Sequence, residues 1–85
     1  MKSFKYVVKE NVGIHARPAS LLVKEAAAYV SAVTIESGGK RADVKRLLAL
    51  MALGVKCSQE VTFFIEGEDE NIAAIELEKF CSCNL

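Results

Sequence analysis

The chain has 85 residues, of which 52% are apolar and 26% charged. That is the balance of a small folded unit, and a single domain spanning 1–85 is expected. Lys plus Arg and Asp plus Glu both number 11, so the net charge is zero. The basic excess of a nucleic-acid binder is therefore missing. No apolar run approaches the roughly 20 residues of a membrane span, and Met1–Lys9 lacks a signal-peptide core, so a cytoplasmic protein is expected.

Phe4 to Lys9 alternates, with Phe4, Tyr6 and Val8 on one face, which predicts a half-buried strand. From Ala16 to Val30 the period changes. Ala19, Leu22, Val23, Ala26 and Val30 form one helical stripe, and Pro18 suits the first turn, where no intrahelical N–H is needed. Ala32–Ser37 should be a strand with Val33 and Ile35 inward, and Gly38-Gly39 predicts a hairpin into a strand over Lys40–Asp43. A short helix is expected over Lys45–Leu53, stopped by Gly54. Glu60–Glu66 alternates through Val61, Phe63 and Ile65, and Gly67 ends it. Asp69 can cap a last helix with Glu70 in its first turn, whose buried stripe should be Ala73, Leu77, Phe80 and Cys81.

The order β-α-β-β-α-β-α predicts an α+β fold. A four-stranded antiparallel sheet with three helices on one face, an open-faced β-sandwich, would bury every stripe. Not all apolar residues are absorbed. Leu47, Leu48, Leu50, Met51 and Leu53 leave the second helix without a polar face. Leu50 should pack inward while Leu47, Leu48 and Met51 stay partly open. Leu21 lies about 160° around the first helix from Ala19, on the outer side with Lys24. Apolar side chains ringed by cations describe a docking patch. Ile72 and Ile75 fall off the last helix's stripe without explanation.

The three cysteines, Cys57, Cys81 and Cys83, form neither a disulfide framework nor a metal shell, and are read as reduced and non-functional. No metal or cofactor is expected. His15, the sole histidine, falls in Gly13-Ile14-His15-Ala16-Arg17-Pro18-Ala19, where a loop runs into the first helix. A helix start offers unpaired N–H groups and partial positive charge to an oxyanion. Arg17 can add a planar donor fork, and Gly13 lets the backbone turn tightly. A neutral imidazole nitrogen in that setting is a nucleophile for a phosphoryl group, and transfer then rests on positioning and charge stabilisation. A glycine-rich phosphate loop for ATP is missing.

Those seven residues resemble the active-site signature of the HPr family, the histidine phosphocarriers of the bacterial phosphoenolpyruvate-dependent sugar phosphotransferase system. Lys45–Gly54, Val61–Ile65 and Gly67-Glu68-Asp69-Glu70-Asn71 resemble it too, in the same order and spacing. The resemblance implies the open-faced sandwich, and a phosphoryl group accepted on Nδ1 of His15 from enzyme I. It implies onward transfer to the A domain of a sugar-specific enzyme II, with Arg17 stabilising the phosphoryl group. The chain would then be a transfer intermediate, not a free-standing catalyst. The implied partner surface holds Leu21, Lys24, Leu47, Leu48 and Met51, and a monomer is expected. Where many relatives carry a regulatory serine, this chain has Arg46, which cannot accept a phosphoryl ester. Arg46 motivates the alternative reading, a specialised paralogue signalling through His15 to a regulatory partner. A third possibility is a plain interaction domain with an inert His15.

Overall fold

The structure, a computed structural model, describes residues 1–85. In chain order the elements are β1 (Lys2–Val7), α1 (Ala16–Ala27), β2 (Ala32–Ser37), β3 (Lys40–Asp43), α2 (Leu47–Ala52), β4 (Glu60–Glu66) and α3 (Glu70–Asn84). The strands form one antiparallel sheet in the order β1-β4-β2-β3.

Register follows the alternation. Phe4 and Ile35 both stand opposite Phe63, and Val33 stands opposite Ile65, so one face collects the large apolar side chains. Phe63 is fully buried, with the Phe4 ring stacked on it at 4.8 Å. Burial of such a side chain is worth roughly 1.5–3 kcal/mol. The helices cover this face with Ala19, Leu22 and Ala26 of α1, Leu50 of α2, and Ala73, Leu77 and Cys81 of α3. On the other face Thr34, Thr62 and Phe64 are half-buried, and the Arg41 guanidinium sits 4.7 Å from the Phe64 ring centroid.

Three expected boundaries move, each through a long-range hydrogen bond or a helix end. β1 stops at Val7 because the Lys9 and Glu10 N–H groups both donate to the Leu85 backbone oxygen, at 2.5 and 2.7 Å, and not to β4. α1 stops at Ala27, so Val30 leaves the predicted stripe and is 74% exposed. Its N–H, with that of Ser31, donates to the Asp69 carboxylate at 3.0 Å. α2 is trimmed to six residues, with Arg46 as its N-cap.

The same bonds alter the reading of Asp69. It occupies the N-cap of α3, but its side chain caps nothing there. The carboxylate clamps residues 30–31, also accepting from the Ser31 hydroxyl. Gly67 permits the close approach, since a Cβ on it would lie 2.6 Å from the Ser31 Cα. Phe80, expected in the buried stripe of α3, is half-buried.

Candidate functional site

The segment before α1 is held from both sides. Val8 donates to the Gln59 carbonyl at 3.0 Å, and Gly13 closes a turn onto the Glu10 carbonyl at 2.9 Å. Gly13 has φ +77°, and a Cβ there would lie 2.3 Å from the Val55 carbonyl oxygen. Only glycine allows that approach without displacement. The next residue, Ile14, is buried and donates to the Val55 carbonyl at 3.0 Å. Backbone and core thus fix the point from which His15 projects.

His15 is the N-cap of α1, with extended backbone (φ −99°, ψ −171°). Its carbonyl accepts the first helical bond, from Ala19 at 2.9 Å, but its side chain makes no capping hydrogen bond. The Ala16 and Arg17 N–H groups precede that first bond, and Pro18 has none to offer. The first turn of α1 contains no acidic residue, so the positive end of the helix dipole is not neutralised by its own sequence. The half-exposed imidazole therefore sits at an electropositive helix start with no partner of its own.

His15, Arg17, Pro18 and Leu21 share a shallow depression of about 200 Å³ with Glu10, Cys83 and Asn84. The two larger hollows, about 470 and 360 Å³, lie around Thr34 and Arg41 and contain no histidine. Size does not pick out the candidate site here; chemistry does. Glu10, Cys83 and Asn84 had no sequence signal, because the end of α3 reaches the site only through the pairing of Leu85 with Lys9 and Glu10. Spacing in a Cys-x-Cys on a helix could at most have said that the two thiols part. Cys81 is buried, which pushes its thiol up to about 12, with Glu78 adding to the effect, while Cys83 is exposed. No group of three His, Cys, Asp or Glu side chains is arranged to hold a metal.

The remaining residues singled out by sequence lie on the neighbouring surface. Lys24 and Leu21 are exposed on α1, which packs against α2. On α2, Leu50 is buried, Leu48 is 82% exposed, and Leu47 and Met51 are 36% and 37% exposed. A six-residue helix can bury only one side against a domain this small, and the rest of its apolar surface stays outside.

A family model for the PTS HPr component phosphorylation site matches residues 2–82. The chain is 41% identical over 73 residues to the phosphocarrier protein HPr of Lysinibacillus sphaericus, covering 86% of this chain and 83% of that one. Among solved structures, HPr-C-His from Thermoanaerobacter tengcongensis superposes with a TM-score of 0.94 at 32% identity, covering 99% and 94% of the two chains. Crh, a catabolite repression protein of Bacillus subtilis whose structure shows a swapped dimer, gives 0.78 at 36% identity, covering 100% and 98%. The open sheet, the histidine at the start of α1 and these matches lead to one conclusion: the chain belongs to the HPr family of phosphotransferase-system phosphocarriers.

Proposed function

We propose that His15 is the phosphoryl acceptor, taking the group from phosphorylated enzyme I and passing it to the A domain of a sugar-specific enzyme II. One observation carries the reading. The only imidazole of the chain stands uncapped and half-exposed at the start of α1, beside Arg17. In the transfer, the lone pair of Nδ1 forms a bond to phosphorus as the bond to the donor atom breaks, its electron pair leaving with the donor. The Nε2 proton stays on the ring, so no separate base is required. Developing charge on the phosphoryl oxygens meets the Ala16 and Arg17 N–H groups and the Arg17 guanidinium.

Leu21, Lys24, Leu47, Leu48 and Met51 would form the surface on which both partners dock in turn, with the chain working as one HPr-like unit and as a monomer. The test is intact-protein mass spectrometry after incubation with phosphoenolpyruvate and a catalytic amount of enzyme I. One acid-labile phosphoryl group is expected, and none on His15→Ala. No gain, with another HPr labelled in the same tube, would count against the reading.

A second reading, a specialised paralogue signalling to a regulatory partner, is favoured by Arg46 and by the likeness to Crh. The family model and the relatives named phosphocarrier protein HPr support the carrier role. Failure of every enzyme II A domain to drain the labelled chain would favour the paralogue.

A further inference from the structure

The zero net charge conceals an uneven distribution. From Glu66 to Asn84 the chain holds six carboxylates and a single cation, Lys79. Lys79 pairs with Glu76 at 3.7 Å, and Glu70 with the Met1 amine at 2.9 Å. Asp69 is bonded to residues 30–31. Glu66, Glu68 and Glu78 have no ion-pair partner in the molecule. The last helix and the turn before it are thus an acidic region that the rest of the chain does not neutralise locally.

Two large apolar side chains stand in the middle of this region. α3 buries Ala73, Leu77 and Cys81 against the sheet. Ile72 and Ile75 lie roughly 140° and 160° around the helix from Leu77, so they point outward. They are 54% and 55% exposed, where a surface helix ordinarily carries polar residues. Three residues apart, they are neighbours on one ridge, and within a turn of them stand Asp69, Glu76, Glu78 and Lys79. The acidic rim continues onto α1, where the Tyr29 hydroxyl donates to Glu25 at 3.4 Å. Burial pushes the pKa of that hydroxyl up, and the Glu25, Glu76 and Asp69 carboxylates add to the effect, so their charges converge where α1 meets α3. Lys45, which also reaches this tyrosine, is bonded to its carbonyl at 2.7 Å. α1 packs against both α2 and α3, which sets this ridge apart from the surface around Leu47 and Leu48.

We propose that the outer ridge of α3 is a second interaction surface, separate from the transfer face. On it Ile72 and Ile75 receive an apolar side chain of a protein partner whose flanking arginines or lysines answer the acidic rim. Charge decides the occupant, because an acidic rim repels nucleic acid and anionic membranes. A second copy of this chain would offer its cations only through the α1–α2 face. That head-to-tail contact does not close on itself, and it would cover the surface needed for transfer. Two isoleucines supply a small contact area, so the complex is transient and depends on salt. A partner seated here leaves α2 free, and the chain can then hold two proteins at once.

The experiment titrates the full chain with two synthetic amphipathic helices of about 18 residues, both with leucine on one face. One carries arginine on its polar face and the other glutamate, and binding is read from the isoleucine methyl resonances. Ile14, Ile35 and Ile65 are buried and serve as controls in the same spectrum. The arginine helix should move Ile72 and Ile75 and leave the other three in place, more weakly as salt rises; the glutamate helix should move neither. Ile75→Ser and Ile72→Ser should each raise Kd about five-fold with the melting temperature unchanged. Glu78→Lys should raise it about three-fold, the gap closing at high salt. Ile75→Ser should still accept a phosphoryl group from enzyme I at the wild-type rate, and slower acceptance would place the ridge in the transfer face and overturn its separateness. Equal shifts with both helices, or none at Ile72 and Ile75, overturn the proposal. So does unchanged binding by the serine variants, which would mean adhesion by charge alone. Isoleucine shifts that follow the concentration of the chain without any peptide would assign the ridge to a second copy and overturn it too.

Discussion

Of the three helices, α1 and α3 begin on an N-cap residue whose side chain can accept a hydrogen bond, and the two side chains have opposite fates. His15, at the start of α1, makes no hydrogen bond through its ring and borders an open depression. Asp69, at the start of α3, binds the Val30 and Ser31 N–H groups and the Ser31 hydroxyl from the far side of the fold. Both helix starts attract negative charge for the same reason. At α3 the chain supplies it, with Asp69 at the N-cap and Glu70 in the first turn; at α1 it supplies none. A polar N-cap is thus a structural strut or an unbonded, open side chain according to where its partners lie, which local sequence does not state.

The sharpest way to break the comparison is to delete the ring. His15→Ala should abolish phosphoryl acceptance, read as mass gain, while leaving the melting temperature close to that of the wild type. A large loss of stability would mean that His15 is a strut after all. Gly13→Ala should come next, because it displaces the loop that aims the ring. Holding a non-glycine residue at such a φ costs of order 1–3 kcal/mol, before the encounter with the Val55 carbonyl oxygen is counted. Both a lower melting temperature and slower transfer are expected, where His15→Ala should show only the second effect. Leu47→Asp should share with Gly13→Ala only the slower transfer. The fold should survive, as the side chain is already partly open, and transfer from enzyme I should slow by about tenfold through lost docking. Unchanged transfer kinetics would remove Leu47 from the proposed partner surface.

The sequence was most informative where information is local. β2, β3 and β4 follow the alternation and the Gly38-Gly39 turn to the residue, and the open positions of Leu21, Leu47, Leu48 and Met51 follow from helical angle and helix length. It failed where one distant bond decides the outcome. Val30 belongs to the stripe of α1 by periodicity, but α1 ends before it and its N–H goes to Asp69. Lys9 belongs to β1 by alternation, but its N–H goes to Leu85. That second bond also carries the end of α3 to His15, so Glu10, Cys83 and Asn84 entered the site unannounced. The exposed Ile72 and Ile75 remain unexplained by the fold.

The smallest effect tests the strut alone, through pH. The hydrogen bond from Ser31 above all, with those from the Val30 and Ser31 N–H groups, holds the Asp69 carboxyl below its usual value despite some desolvation. A lowered pKa in the folded state means that the unfolded chain binds the proton more readily. The stability this provides is therefore complete above the ordinary carboxylate value of about 3.9 and is lost as pH falls through the lower folded value. Asp69→Asn should melt at a lower temperature than the wild type at neutral pH, and the difference should shrink in acid as the wild type loses the same charge. Glu70 is lowered too, by the Met1 amine first and the Gly67 N–H second, so the variant should flatten the acid limb without removing it. Phosphoryl acceptance at neutral pH and moderate temperature should not change. Melting curves that stay parallel down to pH 2.5 would show that Asp69 acts by shape and not by charge, and the contrast with the unbonded His15 would then rest on geometry alone.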